Sequence, residues 1–517
     1  MYLNTLFLHL FLHFISFKYN SSILKMVKYT KKSNTKKSNT KKSNTKKSKS
    51  KSSKKDKKDN TSQYEKLIYY MAENSKIDIS NIFNSLYVYK NPVIHNIIKY
   101  NDLESKKAYQ NGLELLGKYK NYDIPEITKY YNSRELDDTN IKIFDSLENI
   151  KEKNELFKSK TKSISDGFAR GIARYINLNY KVEHGTTNGF TKLWELYDMV
   201  PEIIPKKKYI NIFHLAEAPG QWVNATNHYM VNKDEYVEDY DWRATSLNPK
   251  NPENIKKYGK KNLFGDDYGL IANNKKKWIW GADDTGNITD SKNQKWFRSY
   301  IGEWMNSLSN PKHRNVDLVM GDGGLGEESS LEDYQKLELA QLITLVSVST
   351  NKSNCIIKHF LPYMFRKEET LKANGFYTSL IFLYSLLYQD VRLVKPLSSS
   401  PNSGEFYVMC IGFQRKNGDI IYNQLLTILD SFKENICLFP EGTIPNSFIQ
   451  QFIGFIKSVV SLNDESRLIK STILTCLNKP SDKFKKEVKC DKHLSQTFVS
   501  EIQSQRFKKW LKNTEFI

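Results

Sequence analysis

Four charged residues in the order Lys192, Asp322, Lys358, Glu405 are the part of this 517-residue chain best equipped for chemistry. Each lies in a short apolar segment: GFTKLWEL at 189–196, VDLVMGDGGLGEE at 316–328, SNCIIKHF at 353–360 and SGEFYVMCIGF at 403–413. Two lysines beside two carboxylates can hold and activate a hydroxyl group. A lysine acts as a general base once its pKa falls towards neutrality; burial and a neighbouring cation push it down, and carboxylates push it up. Lys358 follows two isoleucines, which puts its ammonium at or near the end of a buried strand, where an unpaired charge is costly. Asp322 closes another apolar run, at the end where open α/β sheets bind ligands. A fifth motif, Glu217-Ala218-Pro219-Gly220-Gln221-Trp222, ends the run YINIFHLAE. A strand that turns through small residues into a helix offers a glycine for close backbone approach and free N–H groups at the helix start. It is neither a G-x-G-x-x-G fingerprint nor a P-loop. Singly, each motif has an ordinary reading: a tight turn, a capping aspartate, a lysine snorkelling at a sheet edge. Their joint order carries the functional one.

These residues need a scaffold that gathers strand ends. Between about 166 and 416, apolar strand-like runs (YINIFHLAE, VDLVMGDGG, NCIIKHF, DVRLVKP, EFYVMCIGF) alternate with helical ones. That alternation predicts an α/β, Rossmann-like domain with a mostly parallel sheet and helices on both faces. Residues 63–165 read as a helical accessory region, NPVIHNIIKYN included, and 417–517 as a helical C-terminal region. Five of the eight tryptophans (Trp242, Trp278, Trp280, Trp296, Trp304) fall between Trp222 and Val316. Stacking on bases is one use for them, and packing in the core is the commoner one.

The net charge of +22 favours a polyanionic partner, and RNA is the expected substrate. Residues 26–60 carry 15 lysines and two aspartates, a net of +13, which leaves +9 for the rest of the chain. Residues 26–62, built on repeats of T-K-K-S-N, are expected to be a disordered tail that acts as an electrostatic tether to RNA. Residues 1–25 are expected to be an apolar leader or an untranslated start ahead of Met26. The apolar stretch at 1–17 is short for a membrane span, so no stable membrane partner is expected. Five dispersed cysteines fit a reducing, intracellular setting, cytoplasmic or nuclear, and no spacing suggests a metal site.

The stretch from about 185 to 415 resembles the FtsJ-type RNA ribose 2′-O-methyltransferase domain, which also occurs in cap-specific methyltransferases. Lys192 in F-T-K-L, Asp322 in M-G-D-G-G, Lys358 in I-I-K-H-F and Glu405 in S-G-E-F-Y-V match that family's Lys-Asp-Lys-Glu tetrad. Lys395-Pro396 and the serines before Glu405 resemble the family's last loop. The resemblance implies S-adenosyl-L-methionine as cofactor, bound by Glu217, Ala218, Pro219, Gly220, Gln221, Trp222 and Asp322. It also implies an adenine contact from Asn287, Asp283 or Asp284. In this picture Lys358 is the base, Lys192 its neighbouring cation, and Asp322 and Glu405 orient the lysines and the hydroxyl. Two departures stand out. Gln221 replaces a usual glycine, and Asn287 stands where an aspartate is common. The function the resemblance implies is 2′-O-methylation of RNA, foremost at the mRNA 5′ cap. Methylation of rRNA or tRNA, or a non-catalytic RNA-binding subunit, are the alternatives.

Overall fold

The computed structural model describes residues 93–99, 102–118, 172–325, 329–361, 367–400, 403–440, 442–478 and 510–516. The leader, the lysine-rich tail and most of the region at 63–165 lie outside the described residues.

Seven strands form one sheet: β1 (Val93–Ile97), β2 (Tyr209–Leu215), β3 (Asp239–Ala244), β4 (Leu318–Gly321), β5 (Asn354–Phe360), β6 (Tyr388–Lys395) and β7 (Glu405–Phe413). Their order is β1-β6-β7-β5-β4-β2-β3. The pairs β3-β2, β2-β4 and β4-β5 are parallel, whereas β7 runs antiparallel to both β5 and β6. This is a mixed, Rossmann-like sheet with β7 and β1 opposed to the other five strands. One expectation is corrected here. VIHNI, grouped with the helical segments on sequence, is the edge strand β1, paired antiparallel with β6. Three of its five residues, Val93, Ile94 and Ile97, are β-branched, and a neighbour with free backbone groups outweighs the weak helical periodicity.

Through the middle of the sheet the strands alternate between two cores, as a period of two requires. Phe213, Leu215, Val319, Cys355, Ile357, Phe406, Val408 and Cys410 face one core. Ile210, Ile212, Leu318, Met320, Ile356, Tyr407 and Met409 face the other. Helices α6 (Ser291–Ser307), α7 (Leu331–Val348), α8 (Lys367–Leu387), α9 (Arg415–Asp430) and α10 (Asn446–Asn478), with α1 (Leu103–Lys118), cover the first face. Helices α2 (Asn188–Met199) and α3 (Gln221–Asn232), with Ile172, Ile176 and Trp510, cover the second. Two short helices, α4 (Pro252–Tyr258) and α5 (Leu270–Asn273), lie in the insert after β3. Trp242, Trp278 and Trp304 are buried, so these three serve the core. No helix among the described residues is long and apolar enough to cross a membrane.

Candidate active site

The alternation decides where the tetrad goes. Asp322, Lys358 and Glu405 share parity with Met320, Ile356 and Tyr407, so all three side chains rise on the sheet face covered by α2. Asp322 leaves the end of β4, Lys358 lies near the end of β5, and Glu405 opens β7 opposite Phe360. Lys192 comes from the first turn and a half of α2, a helix started by the Thr187 side chain accepting from Phe190 N. Four residues spread over 213 positions therefore form two adjoining ion pairs. Lys192 Nζ lies 2.8 Å from Glu405 Oε2 and 2.7 Å from Oε1. Lys358 Nζ lies 3.0 Å from Asp322 Oδ1.

The electrostatics separate these groups. Burial works against the Glu405 carboxylate, but Lys192, Lys358 and Lys395 outweigh it and hold its pKa down at about 2. Burial likewise opposes the Lys192 ammonium, and Glu405 and Asp322 together hold its pKa above that of a free lysine. Lys192–Glu405 is thus a fixed pair of opposite charges. Lys358 is only 9% exposed and its Nζ lies 5.6 Å from the Phe360 ring centroid.

Residues outside the tetrad complete the arrangement. Lys395, 1% exposed, ends β6 and donates to Ser399 Oγ, Ser403 O and Glu405 O at 3.3, 2.8 and 2.8 Å. Burial lowers its pKa to about 7, against the pull of Glu405 and with the help of Lys192. Ser399 Oγ in turn donates to Glu405 Oε1. Glu195, one turn beyond Lys192 on α2, accepts from Leu397 N, Ser398 N and Ser398 Oγ, and burial raises its pKa to about 7. The same helix therefore presents Lys192 and anchors the loop that leads into Glu405. On the far side, Gln341 of α7 accepts from Gly323 N and donates to Lys358 O, tying the Asp322 turn to the Lys358 strand. A Cβ at Gly323 would stand 2.5 Å from Gln341 Oε1, which explains a glycine there. The only sequence signals for these residues are charged or amide groups inside buried helices and a Lys-Pro step before the last strand. Such signals become readable only after the partner is known.

Lys395→Met keeps the apolar stem but strips donors from the carbonyls of Ser403 and Glu405. Unpaired buried acceptors cost about 1–3 kcal/mol, so a lowered Tm is expected. The turnover number should fall roughly tenfold through misplacement of Glu405, with substrate KM little changed. Steady-state kinetics with a thermal melt check this; a wild-type turnover number would show that Lys192 and Ser399 alone hold Glu405.

The turn after β2 behaves differently from expectation in one respect. The helix amides Trp222 N and Val223 N are not free, because Glu217 Oε1 accepts from both at 2.7 and 3.0 Å. Glu217 is 4% exposed, so it shapes the turn from within. Trp222 is a core residue against Tyr407, with ring centroids 5.9 Å apart. Pro219 and buried Ala218 lead into Gly220, which has φ +102 and would bring a Cβ to 2.9 Å from Leu270. Gln221 is 4% exposed, and neither amide atom has a hydrogen-bond partner. The loop at 283–290 stands beside the end of β3, where Asn248 N donates to Thr285 O, and Gly286 approaches Ser246 so closely that no side chain fits. Within it, Asp283 Oδ1 accepts from Thr285 and Asn293, and Asn287 Oδ1 accepts from Thr289 N and Oγ1. Asp284 Oδ2 accepts from Asn248 Nδ2 at 3.2 Å. The sheet order sets this loop and the tetrad on different strands, with the Gly220 turn between them.

Comparison with known proteins agrees with this architecture. Residues 186–413 match the model of the FtsJ-like methyltransferase family. The uncharacterized protein L511 of Acanthamoeba polyphaga mimivirus is 28% identical over 302 residues, 57% of this chain and 34% of that protein. Cap-specific mRNA (nucleoside-2′-O-)-methyltransferase 2 of Danio rerio is 26% identical over 277 residues, 51% of this chain and 34% of its own length. The Drosophila melanogaster protein of the same name is 23% identical over 334 residues, 60% of this chain and 43% of its own. The chain thus spans less than half the length of each of these relatives.

Proposed function

We propose that this chain, which carries an FtsJ-like methyltransferase domain over residues 186–413, transfers a methyl group to a ribose 2′-hydroxyl of RNA at the mRNA 5′ cap. The observation that carries the reading is the convergence of Lys192–Glu405 and Lys358–Asp322 at neighbouring strand ends on one sheet face. The cap as target is supported by the names of two relatives, which are said to act there.

The residues beside the tetrad fit an S-adenosyl-L-methionine site. The Gly220 turn has no space for a side chain, and the Gln221 amide is buried with both its atoms unpartnered. Gly220 and Gln221 would hold the methionine end, and the loop with Asp283, Asp284 and Asn287 the adenine end. When bound, S-adenosyl-L-methionine supplies an electrophilic methyl group on a cationic sulfur. Lys358 would accept the proton of the 2′-hydroxyl as its oxygen takes up the methyl group that S-adenosyl-L-methionine would supply. Asp322 orients Lys358. Lys192, kept cationic by Glu405, holds the oxygen as its negative charge develops. Positive charge would move from the methyl donor to Lys358 with no net change, so alignment of the reacting groups is the main contribution of the protein.

The test is methyl transfer from labelled S-adenosyl-L-methionine to short RNAs with and without an N7-methylguanosine cap, followed by nuclease digestion. Label on a 2′-oxygen near the cap, and on capped RNA alone, is the expected result. Label on both RNAs would move the target to internal sites. No label on either, with cofactor bound, would count against catalysis by this chain alone.

A further inference from the structure

The insert after β3 carries charge that the reaction leaves unused. Between Lys250 and Phe264 stand five lysines (Lys250, Lys256, Lys257, Lys260, Lys261) and one acid, Glu253, a net of +4 in 15 residues. All five lysines are exposed, and none forms an ion pair among the described residues. Several lysines elsewhere on this half of the sheet are paired: Lys207 with Asp317, Lys208 with Glu238, Lys233 with Asp198 and Lys277 with Asp241. The stretch from Lys250 to Phe264 is therefore a local excess of cation. Next to the lysines, Phe264 is 63% exposed and the Tyr258 ring lies under Lys257 Nζ at 5.0 Å from its centroid.

The surface is held in place. Asn251 caps α4 by accepting from Glu253 N and Asn254 N. Asn254 Nδ2 donates to Asn248 O at 3.0 Å and Thr285 O at 2.7 Å, which fastens the lysine-bearing helix to the loop at 283–290. Asp266 caps the next helix, α5, whose Leu270 touches the Gly220 turn. The charges are thus mounted beside the proposed cofactor cradle. From β3 to β5 there are three strand spacings, about 14 Å, so a chain leaving Lys358 reaches this surface within a few nucleotides.

We propose that Lys250–Phe264 is a docking surface for single-stranded RNA flanking the methylated ribose, with the lysines on phosphates and Phe264 under an unstacked base. It rests on the reading of this domain as an RNA methyltransferase. Basic side chains along a backbone path with an aromatic ring between them are what a single strand needs: charge for phosphates and a face for a base. A duplex offers no free base to the ring.

The full chain is compared with K256Q/K257Q/K260Q/K261Q and with Phe264→Ala, all checked by thermal melting. Binding is measured directly, without cofactor, on a long single-stranded RNA and on one of only a few nucleotides. For the quadruple variant the slope of log affinity against log salt should fall by up to about 3, at roughly 0.7 per lost phosphate contact. Phe264→Ala should weaken long-RNA binding about tenfold with the slope kept, since stacking carries no counterion release. Both should bind and methylate the shortest RNA as wild type does. Wild-type affinity and slope for the quadruple variant on long RNA would overturn the proposal. So would an equal loss on the short RNA. A wild-type chain that binds RNA but never methylates it would sink the enzymatic reading and leave the docking result standing.

Discussion

Lys358→Ala is expected to lower the single-turnover rate of methyl transfer by on the order of a thousandfold, the usual worth of a positioned general base. S-adenosyl-L-methionine should still bind within a few-fold of wild type, because the turn at Gly220 and the loop at 283–290 are built from other residues. Lys358→Arg separates base from charge. A guanidinium keeps the ion pair to Asp322 but does not give up its proton at any ordinary pH, so it cannot accept one from the hydroxyl. Both variants should be equally slow. Substantial activity in Lys358→Arg would make position 358 an electrostatic anchor and send the search for the base elsewhere.

Removing the carboxylate of Glu405 should have the largest effect on stability. Glu405→Ala leaves Lys192 with its Asp322 neighbour and no direct counterion, and takes an acceptor from Ser399. Breaking a buried pair on one side costs about 3–5 kcal/mol. The double variant Lys192→Met/Glu405→Gln removes both charges and should recover much of that stability while staying inactive. Urea unfolding of the three proteins checks it; a double variant no more stable than Glu405→Ala would mean that the pair is not a coupled unit. The acid limb of stability offers a second reading. The Glu405 pKa falls from 4.5 to about 2 on folding, so the folded state prefers the carboxylate. Its contribution, on the order of 3 kcal/mol, is complete above about pH 5 and is lost as pH drops from there through 2. Wild type should therefore lose stability in that window, and the double variant should lose less. Parallel acid profiles would refute the assignment.

The sequence by itself determined most of the fold on which these expectations rest. A buried strand announces itself by an unbroken apolar run, and runs such as YINIFHL, CIIKHF and EFYVMCIGF could be little else. That Asp322, Lys358 and Glu405 share a face follows only from the register between strands, because parity within one run does not say which side of the sheet it meets. Five-residue VIHNI was not legible, since a short segment of this kind takes strand form only when a neighbour, here β6, presents free backbone groups.

What the tertiary structure alone decided is pairing. Lys192 could have met either carboxylate; the position of α2 over β7 gave it Glu405 and left Asp322 to Lys358. Glu217 could have faced a ligand, and the turn folded it back onto the amides of α3. Glu195 lies on a helix and Lys395 ends a strand, and packing made them two anchors of the loop before Glu405. The physical reason is the same in each case. Periodicity is a property of neighbouring residues, whereas a hydrogen bond or an ion pair is fixed by a few tenths of an ångström between atoms that the chain brings together from far apart.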